Sequence, residues 1–284
     1  MIFKLALLFG LGWADAQPQP PDVSEIMKRV GANQAATQEA RGSYVYLQKQ
    51  VLRMRRGSGA LAREERREYV VTPVAHSFKK ELAKFEGRYE YHGKYVPYYR
   101  PGYEYKNVDI DGNLIDDMSK DMMSDEKSRD GIARDLFPLT TKEQVKYDFR
   151  LVATEAWHGH PVYRVAFQPK PHPHPIDCDD DCGDWKGEAL IDAGEYQPVL
   201  VNTSLAFKIP AAVKILLGTN IKGLGFSVTY QKLEDGVWFP VSYGGEFDVR
   251  GLFFYRRKIS VSMVNTDFHK TDVNSTVVYR TDGH

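Results

Sequence analysis

The sequence predicts a mainly β chain of the α+β class, with one large curved antiparallel sheet and only two or three helices. Short alternations of apolar and polar residues follow one another closely through its second half. Aromatic residues make up 12% of the 284, with 17 Tyr and 14 Phe, and 23 Gly and 15 Pro supply turns between strands. The alternation is also sided. Phe226, Val228 and Tyr230 share one face, as do Phe247, Val249 and Phe253, and as do Ile259, Val261 and Met263. Ser227, Thr229, Asp248, Arg250, Ser260 and Ser262 take the other face. A sheet with one apolar face must cover it with helices or another sheet, or line a cavity with it.

Taken in chain order, residues 1–16 read as a secretory signal peptide. Lys4 precedes an apolar run from Leu5 to Trp13, which ends at the small-x-small pattern Ala14-Asp15-Ala16, so cleavage is expected after Ala16. A membrane anchor needs about 20 apolar residues, and Asp15 stops the run well before that. No cysteine ends the run to carry a lipid, so the mature chain is expected to be soluble. Residues 17–21 are a Pro-rich spacer, and 22–284 read as a single domain.

Asp22 stands three residues before Glu25, and Val23, Ile26, Met27 and Val30 recur at helical spacing, which predicts an amphipathic helix to about residue 40. From residue 44 the period changes to two, giving a strand over 44–51. Residues 53–67, charged around Gly57-Ser58-Gly59, read as a solvated hairpin end, and 68–74 as the next strand. The Tyr, Gly and Pro of 89–105 suggest a loop with short extended pieces. Residues 116–136 read as a helix ended by Pro138. Strands over 146–154 and 161–168 flank the turn Trp157-His158-Gly159-His160, and strands over 188–192 and 197–203 flank Ala193-Gly194-Glu195-Tyr196. Residues 207–217 allow a short helix from Pro210, stopped by Gly218. Strands over 226–233, 237–243, 246–254, 257–264 and 276–279 complete the sheet.

Charge and motifs narrow the function. With 38 Lys+Arg against 38 Asp+Glu, the chain lacks the basic excess that a nucleic-acid partner requires. The glycines of 57–62 resemble a dinucleotide loop but lie outside any strand-helix-strand unit. Residues 218–223 have the spacing of a phosphate loop, yet Leu224 and Gly225 stand where Lys and Ser or Thr are required. Asp109, Asp111 and Asn113 begin like a calcium loop, but Leu114 and Lys120 replace the turn glycine and the bidentate acid. Neither a G-x-S-x-G elbow nor an H-E-x-x-H helix is present. No catalytic residue and no cofactor are assigned, and a non-enzymatic role is expected. His158 and His160 read as turn residues. In the segment from Pro171 to Cys182, Cys178 and Cys182 pair as a disulfide outside the cytoplasm, join His172 and His174 in binding a metal, or lie in an inert solvated loop.

Four stretches carry a resemblance to a known family. They are Asp22-Val23-Ser24-Glu25-Ile26-Met27-Lys28-Arg29-Val30; Tyr147-Asp148-Phe149-Arg150-Leu151 continuing through Gly159-His160-Pro161-Val162-Tyr163-Arg164-Val165 to Pro169-Lys170; Gly187-Glu188-Ala189-Leu190-Ile191-Asp192; and Gly236-Val237-Trp238-Phe239-Pro240. With them the chain resembles the LolA-type periplasmic lipoprotein carriers and the wider LolA/LolB/LppX-like superfamily of outer-membrane lipoprotein-sorting proteins. The resemblance implies an unclosed half β-barrel whose concave face holds acyl chains beneath an N-terminal helix and lid helices at 116–136 and 210–217. It implies a lining of Phe226, Val228, Tyr230, Phe247, Val249, Phe253, Ile259, Val261 and Met263. Residues 53–67 and 171–186 then stand as insertions. The expected role is a periplasmic carrier or sensor that binds lipid or lipoprotein acyl chains, touches membrane surfaces transiently, and meets an envelope protein partner. The alternative is an envelope interaction module with a packed, ligand-free sheet core and residues 89–105 as its contact surface.

Overall fold

The computed structural model describes residues 21–74, 77–123, 139–171, 185–206, 219–222, 225–251 and 255–271. The elements are α1 (Val23–Arg41), β1 (Tyr44–Arg56), β2 (Leu61–Val74), β3 (Ser77–Tyr91), β4 (Lys94–Tyr98), α2 (Ile110–Met123), α3 (Thr141–Gln144), β5 (Tyr147–Trp157), β6 (His160–Pro169), β7 (Trp185–Asp192), β8 (Pro198–Leu205), β9 (Thr219–Lys222), β10 (Gly225–Lys232), β11 (Trp238–Gly251) and β12 (Tyr255–Lys270). The twelve strands form one sheet in the order β4-β3-β2-β1-β12-β11-β10-β8-β7-β6-β5, with β9 on β11 off this path. The pairings are antiparallel. β4 and β5 end the order unpaired with each other, so the sheet stays open rather than closing into a barrel. The expected fold class is the observed one.

α1 starts as its sequence dictates, with the Asp22 carboxylate accepting from the Ser24 amide at 3.2 Å. Its first half buries Ile26, Met27 and Val30, while its second half buries Gly31, Gln34, Thr37 and Arg41. The apolar stripe therefore gives way to a polar seam. Gln34 Nε2 donates to Gln197 Oε1 at 2.7 Å, and Gln197 Nε2 donates to Thr37 Oγ1 at 2.8 Å, which pins the helix to the β7–β8 turn.

Several segments differ from the sequence reading. Residues 53–67 are not a solvated hairpin end: β1 runs to Arg56, the chain turns at Gly57-Ser58-Gly59, and β2 starts at Leu61 with Arg63, Glu65 and Arg67 buried. Where 89–105 suggest a loop with short extended pieces, the fifteen-residue strand β3 runs to Tyr91 and β4 follows it. The charges of β3 are complementary across the ladder, with Glu64 opposite Arg88, Arg66 opposite Glu86 and Glu68 opposite Lys84. β3 and β4 then form a hairpin around His92 (φ 47°) and Gly93 (φ 80°), the left-handed pair that a tight two-residue turn requires. α2 begins at Ile110, before residue 116, because Asp109 caps it: the Gly112 amide donates to Asp109 Oδ1 at 3.0 Å. The acids that open like a calcium loop are a helix start.

β11 runs unbroken where two strands were expected. A Cβ on its Gly245 would lie 2.5 Å from the Gly225 carbonyl oxygen, so only glycine admits β10 this closely. Gly187 is tighter, with a Cβ position 1.8 Å from the Asn202 carbonyl oxygen across the β7–β8 ladder. Ala16, the spacer before residue 21, His172, His174, Cys178, Cys182, the segment 210–217, Phe253 and the strand expected at 276–279 lie outside the described residues.

Candidate functional site: the inner face of the sheet

One continuous cluster joins the helices to the sheet. Ile26, Met27 and Val30 of α1 and Ile115 of α2 pack with Val165, Phe167, Ala189, Ile191 and Val201 of β6 to β8. The same cluster holds Val228, Tyr230, Phe247, Val249, Ile259, Val261 and Met263, seven of the nine residues expected to line the cavity, and all seven are buried. Phe226 is half-buried, stacked on Tyr243 with ring centroids 5.0 Å apart and set 5.4 Å from Trp185. Period-two alternation, with bulges that reset it between β10 and β11, delivers these side chains to one face.

Beside this apolar cluster, β2 carries a buried ionic network that Tyr98 of β4 joins. Arg63, only 1% exposed, donates to Asp109 Oδ2 at 2.5 Å, to the Tyr98 hydroxyl at 2.7 Å and to the Tyr103 carbonyl at 2.5 Å. The Tyr98 hydroxyl donates in turn to Glu65 Oε1 at 2.6 Å, and Arg67 Nε donates to Glu65 Oε2 at 3.0 Å. Arg67 also reaches α2, donating to Ser119 Oγ at 2.5 Å. Arg257 forks onto Asp111 at 2.9 and 3.0 Å, and Lys120 pairs with Asp116 at 2.7 Å. Four cationic groups thus meet the carboxylates of Glu65, Asp109, Asp111 and Asp116.

Burial works against the charge on Arg63, but Tyr98, Asp109 and Glu65 outweigh it and raise its pKa. Burial, and then the Glu65 charge, push the Tyr98 phenol far above its ordinary value. The Tyr255 phenol rises likewise, through burial and Asp111, to which it donates at 2.8 Å. These groups hold their protonation states, and hence their bonds, across the physiological range. An amide ladder borders the ionic network: Gln50 Nε2 donates to Gln48 Oε1 at 3.1 Å, Gln48 Nε2 to Asn265 Oδ1 at 3.2 Å, and Asn265 Nδ2 to the Pro240 carbonyl at 2.9 Å.

A cleft of about 610 Å³ lies at the end of the sheet where the β5–β6, β7–β8 and β10–β11 hairpins turn. Trp157, His158, His160 and Val162 line it from the first hairpin, Asp192, Glu195 and Val199 from the second, and Tyr230, Lys232 and Trp238 from the third. His158 (φ 48°) and Gly159 (φ 84°) form the tight turn expected, with the His158 ring edge-on to Trp157 at 4.7 Å. Among the described residues no group of three His, Cys, Asp or Glu could hold a metal ion. Sequence reasoning missed this cleft because its walls come from three hairpins, and the turn His158-Gly159 was its one local signal.

Among the described residues no helix is long and apolar enough to cross a membrane. No protein-family model matches the chain, and no curated protein matches it either. Among solved structures it is similar to a domain named for outer-membrane lipoprotein sorting from Vibrio parahaemolyticus, at 11% identity and TM-score 0.40, covering 90% of this chain and 96% of that one. A DUF1329 family protein from Desulfovibrio piger is similar at 9% identity and TM-score 0.37, with 89% and 95% covered. A LolA superfamily protein from Nitrosomonas europaea follows at 10% identity and TM-score 0.35, with 89% and 96% covered.

Proposed function

We propose that this chain is a non-enzymatic carrier or sensor of lipid or lipoprotein acyl chains, working in the periplasm after residues 1–16 are removed, with 22–284 as one domain. The observation that carries the reading is the apolar inner face of an open sheet, covered by helices instead of a second sheet. Methylenes buried there contribute about 0.8 kcal/mol each, so an acyl chain that replaces helix contacts binds without any catalytic group.

Native mass spectrometry of mature protein, purified without detergent from the periplasm of an expression host, tests it. Near-stoichiometric lipid in the spectrum and in an organic extract is the expected result. A second arm titrates a fluorescent fatty acid into wild type and Val228→Arg, with saturable binding expected only in the former. The alternative, an interaction module with a packed core, is favoured by the burial of seven lining residues and by the exposed Tyr91, Tyr95 and Tyr99 beside the edge strand β4. A clean apo mass together with no fatty-acid binding by folded protein selects that alternative.

A further inference from the structure

We propose that the cleft at the hairpin end of the sheet binds an organic cation, an alkylated or quaternary ammonium group carrying an apolar body. The size of the cleft, about 610 Å³, falls in the range of small-molecule sites. Its aromatic wall is formed by the indoles of Trp157 and Trp238 with the ring of Tyr230. Aromatic faces are negative and attract ammonium groups, most strongly when several rings share one desolvated site.

The charges at the cleft have the matching sign. Glu195 is already satisfied, since Lys232 Nζ donates to it at 2.6 Å and Trp238 Nε1 at 2.9 Å. Asp192 Oδ1 accepts only the amides of Gly194 and Glu195, at 2.9 and 2.7 Å. Among the described residues no lysine or arginine pairs with Asp192. Among Asp, Glu and Lys at the cleft, two carboxylates against one ammonium leave one negative charge beside the indoles. An anionic ligand would meet that charge unfavourably, and a neutral apolar one would leave it unused. The cleft adjoins the core cluster, which holds Tyr230 and packs against Trp238, but the proposal does not rest on the acyl reading and its test needs no acyl chain.

Choline and 3,3-dimethylbutan-1-ol, its uncharged carbon isostere, are titrated into the mature protein, followed by indole fluorescence and calorimetry. Choline is expected to saturate and to bind at least about tenfold more tightly than the isostere. Asp192→Asn keeps a side-chain oxygen for the two turn amides and removes the charge; it should lower choline affinity about tenfold while leaving the melting temperature unchanged. Trp157→Leu keeps apolar bulk without the indole face and should weaken choline similarly. Equal binding of choline and isostere, no saturable choline binding, or Asp192→Asn binding choline as wild type does would each overturn the proposal. Given choline binding, glycerophosphocholine and monomeric lysophosphatidylcholine separate the sources. A large gain for the lysolipid assigns the cation to a lipid headgroup, and equal affinities assign it to a free solute.

Discussion

On β5 to β8 and β10 to β12 the inner face is closed by Val, Ile, Met and Phe side chains against α1, whereas on β2 it is closed by Arg63, Glu65 and Arg67 against α2. Apolar contact has no preferred direction, and a methylene from a guest molecule substitutes for one from a helix at nearly the same energy. A buried ion pair behaves in the opposite way: each bond fixes a distance and an angle, and an ion that loses its partner is left desolvated. On the carrier reading proposed above, a guest would enter along α1, while α2 stays strapped to β2 through Arg63–Asp109 and Arg67–Ser119.

Substitutions on the two sides should separate them. Arg63→Met leaves Asp109 without its guanidinium, while Glu65 keeps Arg67, and should cost about 3–5 kcal/mol in chemical denaturation. Ile259→Val, a loss of one buried methylene on the apolar side, should cost about 0.5–1.5 kcal/mol. Equal costs, or the reverse order, would break the comparison. A smaller effect sharpens it on the opposite face of β2, where Glu64 sits 5% exposed among Arg53, Arg66 and Arg88. Burial raises the Glu64 pKa, but the three guanidinium groups outweigh it and hold the carboxyl below its ordinary 4.5. A carboxyl depressed in the folded state stabilises above its unfolded pKa and loses that contribution as pH falls through the folded one. Melting temperature should therefore drop as pH falls below 4.5, and Glu64→Gln should flatten that acid limb; an unaltered slope in the variant counts against the cluster.

The same contrast explains what could be read from the sequence. α1 was legible because Asp22 caps it and Ile26, Met27 and Val30 mark its buried stripe. β10 and β12 were legible because Val228 alternates with Thr229, and Val261 with Ser262. The second half of β2, 68–74, was legible, but its first half and β3 were not, since in β2 both faces carry charge: Arg63, Glu65 and Arg67 inward, Glu64 and Arg66 outward. Their signal is opposite charge across the ladder, as at Glu64 and Arg88, which can be seen only once register is known. The capping role of Asp109 was hidden by its likeness to a metal loop. Of the inner face, the apolar residues could be named, but not the depth to which α1 buries them. The cleft joins Trp157, Asp192 and Trp238, which no local period connects.

The strand order also places β1 between β2 and β12, so that Tyr44 lies opposite Lys270. β1 to β4 can assemble as a local meander, each strand beside its sequence neighbour. The other side of β1 must wait for a strand more distant in the chain than any other described here. Folding rates fall as contacts become less local, so completion of the sheet centre is expected to be the slow step of refolding. Until β12 arrives, the thirteen residues of β1 hold one row of unpaired amides and carbonyls. A second unfolded copy of the chain can offer its own β12 to that row. Refolding yield should therefore fall with protein concentration, through exchange of one strand between copies.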